Sequence, residues 1–95
     1  MIKSFGSQET ASLFHGYTGQ TCGIPQTIWK TAARKLDLLN AALKLRDLLS
    51  PPGNRLEKLR GKLEGWYSIR INDQYRVVFQ FYDGNAHAVK IMDYH

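Results

Sequence analysis

The run from Trp66 to Tyr82, WYSIRINDQYRVVFQFY, constrains this chain more than any other stretch. Apolar and polar residues alternate with a period of two, the pattern of a half-buried antiparallel hairpin. With Asn72, Asp73 and Gln74 in the turn, Ile71 falls opposite Tyr75, Ile69 opposite Val77 and Tyr67 opposite Phe79, all on one face. The other face then sets Arg70 against Arg76 and Ser68 against Val78. A slip of one residue would mix the two faces, so burial of one face selects this register. Two arginines directly opposed in a sheet repel. The register therefore demands an offsetting group, either a nearby carboxylate or a bound phosphate.

The rest of the chain supplies what this hairpin packs against. Ile2–Phe5 reads as a short strand ended by Gly6. Ser7 is an N-cap residue, and Glu9 in the first turn favours the helix dipole. The helix from Gln8 places Leu13, Phe14 and Tyr17 on one side, and Gly16 and Gly19 close it. Thr18 to Gly23 is a polar connection. Pro25 suits the first turn of a second helix. Ile28, Ala32, Leu36, Leu39 and Leu43 form an apolar stripe on it, so that helix is expected to run to about Leu43. Leu45, Leu48 and Leu49 form another short apolar turn, and Ser50-Pro51-Pro52-Gly53 stops helix formation.

After Gly53 everything reads as sheet: a strand over Asn54–Leu59, the loop from Gly61 to Gly65, the hairpin, and a last strand after the turn Asp83-Gly84-Asn85. A three-residue turn sets Tyr82 against Ala86, Val77 against Ile91 and Arg76 against Met92. The fold class is α+β, ordered β-α-α-β-β-β, with a twisted, mainly antiparallel sheet covered on one face by two helices. The other face is expected to stay open. Residues 1–95 are read as one domain, without repeats or linkers.

Charge narrows the partners. The chain has 13 Lys+Arg against 8 Asp+Glu, a net charge of +5, which suits an anionic partner, nucleic acid or an acidic protein and less readily a lipid surface, or serves solubility alone. Cys22 is the only cysteine, so an internal disulfide is excluded and a thiolate metal cluster is not expected. No His, Cys and carboxylate set has metal-ligand spacing, and neither a phosphate-binding glycine loop nor Gly-x-Ser-x-Gly occurs. No cofactor is expected. The opening residues lack the apolar segment of a signal peptide, and no apolar run is long enough to span a membrane, so the cytoplasm is the expected compartment.

The expected open face gathers Arg70, Arg76 and Ser68, with Asp93, Tyr94 and His95 ending the last strand beside them. Lys58 and Arg60 lie near the other side. Guanidinium groups are planar, bidentate phosphate donors. Cleaving RNA also needs a base for the 2′-hydroxyl proton, an acid for the leaving oxygen, and cations for the charge on the phosphorane. Glu57, Asp93, Tyr94 and His95 are the available proton-transfer groups. The plainer alternative is a solvated or salt-bridged surface. His15 reads as a helix-surface residue, His87 as a packing or strand-end group, and Trp29 and Trp66 as packing groups rather than base-stacking platforms.

These residues carry a resemblance. Met1-Ile2-Lys3-Ser4-Phe5, Trp66-Tyr67-Ser68-Ile69-Arg70-Ile71-Asn72, Tyr75-Arg76-Val77-Val78-Phe79 and the terminal Asp93-Tyr94-His95 together resemble the HigB-type toxins of the RelE/ParE superfamily, found in bacterial toxin–antitoxin pairs. The resemblance extends over essentially the whole chain. It implies a toxin that enters the ribosomal A site and cuts mRNA during translation without a metal. It also implies a HigA-like helix-turn-helix antitoxin, through which alone operator DNA is bound. Carried over by position, Arg76 stabilises the scissile phosphate, Asp93, Tyr94 and His95 complete the site, and Arg60 contacts phosphate where many members have lysine. Glu57 departs from the pattern, standing where some members have histidine. A carboxylate there can act as a base or pair with Arg70 or Arg76, but it cannot bind phosphate as a cation. Two other readings share the residues: a non-enzymatic inhibitor of a protein such as DNA gyrase, as in the ParE branch, and a basic RNA-binding domain without toxicity.

Overall fold

The structure is a computed structural model that describes residues 1–16 and 23–93. The element order is helix α1 (Gln8–His15), helix α2 (Trp29–Ala41), then strands β1 (Glu57–Lys58), β2 (Trp66–Arg70), β3 (Tyr75–Tyr82) and β4 (Asn85–Asp93). The four strands form one antiparallel meander in the order β1-β2-β3-β4. Both helices pack on one face of it, as the alternating pattern predicts.

The hairpin register agrees residue for residue. Tyr67 pairs with Phe79, Ser68 with Val78, Ile69 with Val77 and Arg70 with Arg76. Ile69, Val77 and Phe79 are wholly buried against the helix side, together with Ala32, Leu36 and Leu39 of α2. Removing each large aliphatic or aromatic side chain from water contributes about 1.5–3 kcal/mol, so this layer dominates stability. Helix α1 begins as expected: Ser7 is extended and its Oγ accepts from Thr10 N (3.2 Å). Thr10 is itself buried, and its Oγ1 accepts from Ile91 N (3.0 Å), tying α1 to β4. Gly16 closes the helix at φ +82°. Tyr17, Gly19 and the connection to Cys22 lie outside the described residues.

Four sequence expectations are corrected. The first concerns α2, which ends at Ala41 rather than Leu43, leaving Leu43 75% exposed. The Asp47 carboxylate accepts from both Leu43 N and Lys44 N (3.0 Å each). That local cap starts a 3₁₀ turn over Leu45–Leu49 and competes with continued helix. Leu48 enters the core in place of Leu43.

The second is the Ile2–Phe5 strand, which makes only two isolated parallel bridges to β4, Ile2 with Ala86 and Phe5 with Val89. Between them, Ala88 N donates to the Ser4 hydroxyl (2.8 Å) instead of a backbone carbonyl, so no continuous ladder forms. The third is the last turn, which holds two residues rather than three. Asp83 and Gly84 both have positive φ (53° and 74°) and Tyr82 pairs with Asn85, the geometry that matches strand twist best. A bulge at Ala88 (φ 53°) then absorbs one residue. Beyond it Val77 meets Ile91 and Arg76 meets Met92, as expected.

The fourth is the strand expected over Asn54–Leu59, which is reduced to Glu57–Lys58. Pro52–Asn54 forms a 3₁₀ turn and Arg55 is left-handed at φ 43°, a conformation that cannot join a ladder.

Candidate active site

The face away from the helices is not open as expected. Ser68 is wholly buried there, Val78 is 2% exposed and Arg76 8%. What covers it is the segment after the proline pair. The Pro52–Asn54 turn packs beside β2. Asn54 is buried and spends its side chain on fixing this segment: Nδ2 donates to Leu48 O (3.1 Å) and Ser50 O (3.4 Å), while Oδ1 accepts from Lys35 Nζ on α2 (2.6 Å). Burial, with Arg34 and Arg70 near, holds the Lys35 ammonium below the ordinary lysine range.

That anchored turn delivers the Arg55 carbonyl to Arg76. Arg76 Nε donates to Ser68 Oγ (2.7 Å), and Nη2 donates to Arg55 O and, more weakly, to Ser68 O (3.4 Å). These three acceptors are neutral and orient the guanidinium. A cation held in place before a ligand arrives is what transition-state stabilisation requires.

The opposed arginines find their offset inside the chain. Arg70 forms an ion pair with Asp73 of the turn. The hydrogen bond and charge of Arg70 hold the Asp73 carboxyl below the usual carboxylate range. The turn itself is closed by Asn72, whose Oδ1 accepts from Gln74 N (2.9 Å) and Tyr75 N (2.8 Å). A bound phosphate is therefore not required to explain the register. Asp93 stands at the same end of the sheet, opposite Tyr75, where its carboxylate accepts from Gln74 Nε2 (3.0 Å). Tyr94 and His95 lie outside the described residues.

The remaining candidates are spread along β1. Glu57 is exposed and pairs with Ser68, so it shares the face of Arg76. Among the described residues the ion pair of Arg70 goes to Asp73, not to Glu57. Lys58 pairs with Tyr67 and so points to the other face. Arg60 lies past the Trp66 end of β2, whereas Arg70 is at the opposite end, about 13 Å away at 3.3 Å per residue. Lys58 and Arg60 instead line an open pocket of about 360 Å³ with Leu59, Gly61 and Glu64, within the size range of small-ligand sites. The structure thus brings together Arg70, Arg76, Ser68 and, at the same sheet end, Asp93, and sets Lys58 and Arg60 apart. Sequence reasoning missed Lys35, Asn54, Arg55 and the pairing role of Asp73. Only the Pro-Gly-Asn turn signal before Arg55 hinted that this segment was not a strand. Among the described residues no group of three His, Cys, Asp or Glu side chains is placed to hold a metal ion, and no helix is long and apolar enough to cross a membrane.

The fold, two helices on an antiparallel meander, is shared with solved structures. The chain is similar in fold to a chain of the heterotetrameric YoeB-YefM toxin-antitoxin complex from Staphylococcus aureus, with a TM-score of 0.61, 21% identity, and 100% of this chain and 98% of that one covered. In sequence, the family model of the RelE-like toxin of type II toxin-antitoxin system HigB matches residues 3–95. The chain belongs to that family. It is 54% identical over 63 residues to Toxin HigB-1 of Vibrio cholerae serotype O1, spanning 66% of either chain. It is 33% identical over 101 residues, and the full length of both, to a protein of Proteus vulgaris named Endoribonuclease HigB.

Proposed function

We propose that this toxin is an endoribonuclease that cuts mRNA on the ribosome, by attack of a 2′-hydroxyl on the adjacent phosphate. One observation carries the reading: Arg76 is buried and held by Ser68 and the Arg55 carbonyl beside a second arginine. A solvated surface arginine needs no such support. Full-length similarity to a protein named as an endoribonuclease supports the same reading.

In this mechanism Arg76 stabilises the charge that grows on the phosphorane, Arg70 binds a flanking phosphate, and Arg60, past the Trp66 end of β2, takes a phosphate further along the strand. Proton transfer falls to the set Glu57, Asp93, Tyr94 and His95. No metal enters the reaction. The ribosome orients the mRNA and supplies much of the entropic advantage, which places the activity in the cytoplasm. A HigA-like helix-turn-helix antitoxin binds the toxin and carries it to operator DNA.

The test is to map mRNA 5′ ends after induction, with Arg76→Ala as control. Cleavage by the wild type, reduced about 100-fold or more in the variant, is expected while the variant still binds its antitoxin. Full cleavage by Arg76→Ala removes the assignment. DNA-damage signalling without mRNA cleavage replaces it with the gyrase-inhibitor reading.

A further inference from the structure

Arg55 occupies a position that its side chain does not favour. Its φ of 43° is left-handed, where a long side chain is uncommon and glycine is at ease. The buried Asn54 holds it there from one side, and the bond from Arg76 to its carbonyl holds it from the other. The carbonyl alone could be delivered by glycine. The arginine side chain adds a cation, exposed to solvent, next to the held guanidinium.

Arg70 is the cross-strand neighbour of Arg76 on the same face, with Cβ atoms of such pairs about 5 Å apart. The end of the sheet thus collects Arg55, Arg70 and Arg76. The carboxylate of Asp73 reaches into this group. It is bonded to Arg70 Nη2 with its side chain 99% exposed, and the charge of Arg55 also acts on it. The turn does not need that carboxylate, because Asn72 closes it. Exposed ion pairs of this kind are weak and readily exchanged. A carboxylate and a phosphodiester present the same pair of anionic oxygens to a guanidinium.

We infer that Arg55 and Arg70 form a second phosphodiester-binding subsite next to Arg76, and that Asp73 occupies it in the free protein as an internal competitor. The inference rests on the phosphodiester reading of the Arg76 site and adds a residue and a regulating contact to it. Asp73 lowers affinity for RNA in general and leaves the subsite when a backbone phosphate of the strand arrives.

The test is binding of the full-length protein to a fluorescent single-stranded RNA oligonucleotide across a salt series. Asp73→Asn is expected to bind about twofold to fivefold tighter, the range of an exposed ion pair. Asp83→Asn is the control. It makes the same charge change beyond the other end of β3, some 26 Å of strand away, at a φ of 53° that asparagine tolerates. It is expected to change affinity by less than about twofold. Arg55→Gly keeps the carbonyl and relieves the backbone. It is expected to keep or raise the melting temperature, weaken binding about tenfold, and lower the salt slope by about 0.7. Equal affinities for Asp73→Asn and Asp83→Asn, or wild-type affinity for Arg55→Gly, overturn the subsite. Failure of the underlying reading looks different: Arg76→Ala then also binds and cuts like the wild type.

Discussion

Each face of the sheet buries side chains of β2 and β3, by opposite means. On the helix side, Ile69, Val77 and Phe79 are wholly excluded from water by apolar contacts with α2. Phe79 stacks at 6.2 Å on Tyr67 and meets Phe81 edge-on at 6.5 Å. On the other side, among the described residues, a 3₁₀ turn rather than an α-helix lies beside β2, and Ser68 and Arg76 are buried there through hydrogen bonds to each other and to the Arg55 carbonyl. The first face stabilises through area, which is non-directional and tolerant of repacking. The second stabilises little, because hydrogen bonds exchanged with water have small net worth. What it provides is the position and orientation of one guanidinium. The first face is organised for area and the second for the orientation of one charged group, the group the proposed phosphate site uses.

Three substitutions sharpen this contrast. Phe79→Ala strikes the apolar face and should cost about 3–5 kcal/mol in urea unfolding, enough to remove a large share of a small domain's stability. Its loss of toxicity should follow loss of folded protein. Ser68→Ala strikes the polar face and should cost less, about 1–3 kcal/mol, because it leaves a buried charged donor without its acceptor. Here cleavage per folded molecule should fall, which Phe79→Ala would not cause. Equal cleavage per folded molecule in both variants would erase the distinction between the faces. Leu43→Ala should change stability by under about 0.5 kcal/mol, since that side chain is 75% exposed although its spacing assigns it to the helix stripe. A cost of 2 kcal/mol or more, typical of core leucines, would return Leu43 to the core.

Legibility varied along the chain for physical reasons. The β2–β3 hairpin could be read in full because alternation with period two and burial of one face leave a single register. The α1 cap could be read because Ser7 serves groups only three residues away. The β3–β4 connection was read to within one residue: the length between Val77 and Ile91 was right, but its division into a two-residue turn and a bulge was not. Composition alone does not tell a three-residue loop from a shorter turn with a bulge. The end of α2 was missed because Asp47 competes for the same backbone donors that a longer helix would use.

The candidate site shows the same division. The opposed pair Arg70 and Arg76, and the placement of Asp93 at their end of the sheet, follow from register alone. Asp73 as the partner of Arg70 was one of two kinds of offset that the register demanded. Arg60 was assigned to phosphate by the resemblance, with Lys58 beside it; the pairing of Lys58 with Tyr67 turns Lys58 to the other face, and Arg60 falls past the Trp66 end of β2.

The β2–β3 register and the face that takes the apolar side chains follow from the sequence, because they depend on periodicity within short windows. The tertiary structure alone decided that the second face would be covered, and by what. Asn54 reaches Lys35 across 19 residues of chain, and Arg76 reaches the Arg55 carbonyl across 21. Such contacts form between segments with no shared period, so their cause lies in how the chain folds back on itself and leaves no mark in the local pattern.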